Sequence, residues 1–157
     1  MIDCCLLRGF SAEAQFIDEA ARASREGFQV LNTFAIDSFV LEELANVWQE
    51  CREPNWDGYN AKPVSQDALR NAYQFLESLF YKPVRVAALP SVGAEPDGDI
   101  TLEWRRSGRR NLSVSISPDG NLHYAALFGP SRELGTEAFF GEVPTRIRQL
   151  IRRTFDE

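Results

Sequence analysis

From Ile100 onward the apolar residues recur at every second position. Ile100, Leu102 and Trp104 alternate with Thr101 and Glu103. Leu112, Val114 and Ile116 alternate with Ser113, Ser115 and Ser117, and Leu122, Tyr124, Ala126 and Phe128 alternate with His123, Ala125 and Leu127. A period of two marks strands with one face in a core and one in water, so this half of the chain predicts an antiparallel sheet. Upstream the spacing is helical. Leu41, Leu44, Val47, Trp48 and Cys51 predict a helix from about Ser38 to Arg52, closed by Pro54. Leu69, Ala72, Tyr73, Leu76 and Phe80 form one face of a second helix from about Gln66 to Phe80, with Ser65 as its N-cap and Asp67 in its first turn. A last helix opens at Pro144 and runs to about Phe155. Its Ile147, Leu150, Ile151 and Phe155 face inward, and Arg146, Arg148, Arg152 and Arg153 lie on the other half. Residues near 11–26 are also helix-prone, but their apolar content is thin. Residues 1–35 are therefore expected to be a peripheral helical extension.

The turns set the register. Pro96-Asp97-Gly98 and Pro118-Asp119-Gly120 repeat one three-residue signal, in which Pro presets the first position and Gly takes the left-handed one. Such loops place Ala94 opposite Ile100, Ile116 opposite Leu122 and Val114 opposite Tyr124, all on one face. For the middle hairpin, a two-residue Ser107-Gly108 loop would put Leu102 beside Ser113 and scramble the faces. A loop of Arg106-Ser107-Gly108 pairs Leu102 with Leu112 and Ile100 with Val114, and is the one expected. Residues 129–143 read as a Gly-rich return with a short strand near Ala138-Phe139-Phe140. The expected fold is α+β: one domain over 1–157, with helices packed on one face of a four-stranded antiparallel meander near 90–95, 99–105, 109–117 and 121–128.

Length and composition fit that picture, since 157 residues bury one sizeable core. The net charge of −6 is unevenly spread. Residues 1–60 carry four Arg against eleven Asp or Glu, whereas residues 105–153 carry nine Arg against four acids. No apolar run is long enough for a membrane, and the first residues lack the basic start of a signal peptide, so a cytoplasmic protein is expected. Three cysteines and one histidine form neither a disulfide framework nor a zinc motif. There is no phosphate-binding loop and no dinucleotide fingerprint, so no cofactor and no metal are expected.

Between the first two firm helices lies Asn55-Trp56-Asp57-Gly58-Tyr59-Asn60-Ala61-Lys62-Pro63, a loop with two large aromatics around an Asp-Gly turn. As a plug, Trp56 and Tyr59 fold back to cap a core edge while Asp57 shapes the turn. As a recognition loop, Trp56, Asp57 and Tyr59 contact a partner. These motifs also resemble those of a family of small uncharacterised bacterial proteins. The shared residues are Trp48, Asn55 to Tyr59 and Pro63; Pro96 to Ile100 with Leu102-Glu103-Trp104; Ser113 to Gly120; and Gly135-Thr136-Glu137 with Gly141-Glu142. The resemblance covers roughly 45–155. It implies a bacterial cytosolic protein and carries no activity or catalytic residue with it.

Three kinds of chemistry are open to these residues. Asp99, Ser115 and His123 fall in one cross-strand row in the expected register, but Ser115 stands in the middle where a triad needs His. No catalytic residue is assigned. Asp57, Asp99 and Glu103 are hard-cation ligands by type, without a metal-binding spacing. Arg105, Arg106, Arg109 and Arg110 crowd one hairpin, and the last helix adds four more Arg, a pattern that can neutralise phosphates. Against a nucleic-acid interface stands the acidic balance of the chain. A small domain is expected to hold its acidic and basic parts too close for phosphate to approach one without meeting the other. The expected function is thus a non-enzymatic protein-binding or accessory protein of a bacterial gene pair, with a protein partner. Its surface is either the aromatic loop or the outward sheet face around Glu103. Nucleic-acid binding through the Arg hairpin and last helix is the alternative.

Overall fold

A computed structural model describes residues 38–81 and 89–156. The expected helix near 11–26 and the extension over 1–35 lie outside the described residues. Among the described residues, three helices and five strands follow one another: α1 over 38–51, α2 Gln66–Tyr81, β1 Ser91–Ala94, β2 Ile100–Ser107, β3 Arg110–Ile116, β4 Asn121–Phe128, β5 Ser131–Ala138 and α3 Thr145–Phe155. The sheet order is β1-β2-β3-β4-β5, antiparallel throughout. The α+β class and the meander are as expected.

Alternation decides what is inside. Ile100, Leu102, Trp104, Leu112, Val114, Ile116 and Leu122 are fully buried on one sheet face, and Tyr124 packs against them in part. Val40 and Leu44 of α1, Ala68, Ala72, Phe75, Leu76 and Leu79 of α2, and Ile147, Leu150 and Ile151 of α3 complete the same core. The opposite sheet face, with Thr101, Ser113, Ser115, His123 and Ala125, is half-buried or exposed.

The helix ends follow local chemistry. Ser65 Oγ accepts the Ala68 N–H at 3.1 Å, the N-cap bond expected of it. Pro144 stands one place before the first residue of α3, and its carbonyl accepts the Arg148 N–H at 3.1 Å. At the far end of α3, Arg106 and Arg110 donate to the carbonyls of Phe155 and Asp156. They satisfy acceptors that a helix C-terminus leaves open.

The two Pro-Asp-Gly turns are built alike. Glu95 N–H bonds Asp99 O and Gly98 N–H bonds Glu95 O, both at 2.9 Å. Ser117 N–H bonds Asn121 O at 3.0 Å, and Gly120 N–H bonds Ser117 O at 3.1 Å. Gly98 and Gly120 have φ of 96° and 83°, the left-handed position that glycine fills without cost.

Two expectations are corrected. The sheet has five strands, because the stretch read as a return contains all of β5, and no strand centres on Phe139 and Phe140. Gly129-Pro130 makes a two-residue hairpin that pairs Phe128 with Ser131, with Gly129 at φ 62°. The strand escapes a search for apolar alternation because it is an edge strand whose residues are all half-buried or exposed. The middle hairpin also differs. Leu102 faces Val114, Ile100 faces Ile116 and Trp104 faces Leu112, two residues away from the expected pairing. The tip is a two-residue connection, with Ser107 opposite Arg110, and an irregularity between Arg105 and Ser107 absorbs one residue. That bulge restores the parity a two-residue loop would have broken, so the faces come out as expected although the partners do not.

Candidate functional site

The loop after α1 is held by its own side chains. Asn55 N–H reaches Ala61 O at 2.9 Å, and Asn55 Oδ1 accepts the Asn60 N–H at 2.7 Å. Asp57 Oδ1 accepts the N–H groups of Tyr59 at 2.8 Å and Ala61 at 3.0 Å. Asn55 and Asn60 adopt φ of 63° and 70°, a left-handed conformation that asparagine tolerates better than most residues. The loop is anchored outward as well: Lys62 N–H bonds Pro96 O and Val64 N–H bonds Cys51 O, both at 2.8 Å. A Cβ on Gly98 would stand 3.0 Å from Pro63 O, so that glycine also lets the β1–β2 turn lie against the loop.

The plug reading holds for one aromatic only. Trp56 is half-buried against the core and donates its Nε1–H to Lys62 O at 2.9 Å. Tyr59 does not fold back; it is 91% exposed. The Asp57 oxygen that closes the loop draws Tyr59's own backbone inward, which leaves its ring at the apex, in water.

The Arg hairpin is partly used up internally. Arg105 Nε lies 3.3 Å from Glu103 Oε1, an exposed ion pair of small energetic weight. Arg106 and Arg110 hold the end of α3. On α3, Arg146 and Arg153 both pair with Glu133 of β5, and Arg153 also lies over the Phe128 ring at 4.2 Å. Arg148 reaches the other way and donates from Nη2 to Ser78 O at 2.8 Å, tying α3 to α2. Burial lowers its pKa, with Arg152 adding to the effect and Glu142 opposing it.

The hairpin is nonetheless far from the acidic turns. Asp97 and Asp119 sit at one end of the sheet and Arg106 and Arg109 at the other, separated by the eight residues of β2. That is roughly 25 Å at the rise of a strand, about three Debye lengths at physiological salt. The expectation that the two charges crowd each other concerned the acidic residues of 1–60, of which 1–37 lie outside the described residues.

The outward face does not assemble the row Asp99–Ser115–His123. Ser115 stands opposite Thr101 and His123, with Thr101 Oγ1 at 3.1 Å from Ser115 Oγ and His123 Nδ1 at 3.0 Å from Thr136 Oγ1. Asp99 lies one pair further along, where Ser117 donates its hydroxyl to Asp99 Oδ2 at 2.6 Å. The two-residue register difference is the whole cause. Asp99 is buried, which raises its pKa. The Ser117 hydrogen bond opposes the rise, the nearby carboxylates of Asp97 and Asp119 add to it, and His123 opposes it. Asp57, Asp99 and Glu103 are not gathered either. Asp57 closes its own loop, Glu103 pairs with Arg105, and Glu103 is four strand residues, roughly 13 Å, from Asp99. Among the described residues, no cluster of three His, Cys, Asp or Glu could hold a metal ion. No described helix is long and apolar enough to cross a membrane.

A feature that sequence reasoning passed over lies between α1 and α2. Leu41, Leu44, Ala45 and Trp48 of α1 face Leu69 and Tyr73 of α2 across an open groove of about 640 Å³, with Gln49, Gln66 and Arg70 at its margins. Helical spacing explains it. Positions 41, 44, 45 and 48 on one helix and 66, 69, 70 and 73 on the other are stripes turned partly away from the sheet. The signal was in the sequence: both apolar faces are wider than one core contact needs. Arg52 lies over the Trp48 ring, 5.6 Å from its centroid. Neither a family model, nor a curated protein, nor a solved structure matches the chain.

Proposed function

We propose that the chain is a non-enzymatic protein-binding accessory protein, and that its partner docks in the groove between α1 and α2. The observation that supports this reading is the groove itself. Its volume of about 640 Å³ is lined mainly by aliphatic and aromatic side chains, of which Tyr73 is exposed and Leu41, Trp48 and Leu69 are half-buried. Tyr and Trp are the side chains most often found as anchors of binding surfaces, and Trp48 and Tyr73 both line the groove. An apolar groove between two helices is a recurrent way of taking a partner's helix. A bacterial cytoplasmic setting, as the motif resemblance implies, belongs to the same proposal. The nucleic-acid alternative has less behind it, since Arg105, Arg106 and Arg110 already have partners within the chain.

The test uses a variant that fills the groove without removing a core contact. Ala45 is exposed, and Ala45→Trp adds bulk where the partner would lie. Partners captured by the parent chain are expected to be lost from Ala45→Trp while its melting temperature stays the same. Retention of the same partners by the variant would rule the groove out as the contact.

A further inference from the structure

We infer that two copies of this chain pair through β5, edge to edge, so that their sheets run on into one. The backbone carries the argument. β5 is the last strand of the sheet, so among the described residues only one of its sides is hydrogen-bonded. Just beyond its end, Phe139 N–H bonds Gly120 O at 2.8 Å, which fixes the phase of the ladder. Odd-numbered residues of β5 therefore turn their amide and carbonyl groups toward β4, and the even-numbered Arg132, Leu134, Thr136 and Ala138 turn theirs outward. A row of such groups along an eight-residue strand is a template for another strand. Bulges and prolines are common devices against edge pairing, and β5 has neither. β1, at the other edge, is four residues long and directly follows Pro90, so it offers little to pair with.

The occupant is a second copy because the strand complements itself. Two β5 strands related by a two-fold axis at Leu134 run antiparallel, with Leu134 opposite Leu134 and Arg132 opposite Thr136. Those pairs exchange about six backbone hydrogen bonds. Leu134 is 73% exposed in the single chain, and its neighbour on β4, Ala125, is exposed too. Pairing joins Ala125, Leu134 and their counterparts into one apolar strip on the outward face. On the inward face Glu133, whose two oxygens are held by Arg146 and Arg153, stands opposite Gly135, which has no side chain to crowd that group. The next register in either direction sets Glu133 against Glu133 or against Glu137 of the other copy, with like charges directly opposite. It also takes Leu134 away from its counterpart.

Sedimentation of the full chain from about 1 to 100 µM is expected to show the mass rising to that of two chains. Leu134→Lys sets two ammonium groups face to face and should weaken the pair about tenfold or more, while its far-ultraviolet circular dichroism stays that of the parent. Ala45→Trp, in the groove, should leave the pair intact. Cross-linking in a Cys4→Ser, Cys5→Ser background reads the register. Leu134→Cys meets its own counterpart at a Cα separation of about 5.5 Å, within disulfide reach, and should oxidise to a covalent dimer. Thr136→Cys, roughly 14 Å from its counterpart, should not. A parent that stays a monomer at about 100 µM overturns the inference. So does a pair undiminished by Leu134→Lys, a pair lost in Ala45→Trp, or a Thr136→Cys chain that cross-links as readily as Leu134→Cys.

Discussion

Trp56 stands half-buried with its indole nitrogen on the Lys62 carbonyl, and Tyr59, in the same loop, stands in water. Truncating the first removes packing and a hydrogen bond; truncating the second removes neither. Trp56→Ala is expected to cost about 2–3 kcal/mol, at the low end for an aromatic because the ring is not fully enclosed. Tyr59→Ala should stay within about 0.5 kcal/mol. Parallel denaturant titrations of the two variants check the contrast, and an equal loss in both would show the loop to be a plug after all. Asp99 offers a test in pH. Its raised pKa means the folded chain keeps a proton that the unfolded chain releases near its ordinary value of about 3.9. The folded state therefore binds more protons between the two values, and this carboxyl's contribution to stability is lost as pH rises through that window. Asp99→Asn, which keeps an acceptor for Ser117, should gain in melting temperature over the parent as pH rises from below the window to neutrality. A difference that does not change with pH would assign the burial no electrostatic cost. That Asp99 is buried was not legible in the sequence, because it depends on which serine stands opposite and hence on the bulge after Arg105.

Among the elements, the inner face of the sheet could be read from alternation alone, since each residue from Ile100 to Leu122 that the pattern turns inward is buried there. Parity survives an error of two residues in pairing, and this is why the faces were legible when the partners were not. β5 was illegible for another reason: an edge strand has little apolar content to show, and its evidence is its partner. The Tyr124 ring lies over Gly135, and a Cβ built there would come within 2.4 Å of the hydroxyl and 2.6–2.8 Å of the ring carbons. Gly135→Ala must push that ring away, at a cost on the order of 1–3 kcal/mol. In a Tyr124→Leu background the same change should cost much less. A double-mutant cycle measures the difference, and strict additivity would mean that the ring does not hold the strand. The groove between α1 and α2 was half-legible: its residues appear in the helical pattern, but a pattern cannot say which apolar positions will find a neighbour.

At the scale of the whole sheet, Asp97 and Asp119 stand at one end of the strands and the Arg hairpin at the other. At low salt a labelled duplex or single strand is expected to bind only weakly, since Arg105, Arg106 and Arg110 are engaged within the chain. Tight binding that falls steeply with salt and disappears in an Arg105/Arg106/Arg109/Arg110→Ala variant would promote the nucleic-acid alternative. The meander has a further consequence, in time. Each strand meets its neighbour in sequence across a short turn, so little chain entropy is spent before the first hairpin closes, and each later strand adds to an edge already formed. The two halves of the helical layer come from opposite sides of the sheet in sequence, α2 before it and α3 after it. Their docking on the buried sheet face closes the longest loops and should come last. Stopped-flow refolding followed by tryptophan emission should show its main phase within roughly milliseconds to tens of milliseconds. A main phase slower than about a second would mean that helix docking, and not strand pairing, limits how quickly this chain becomes itself.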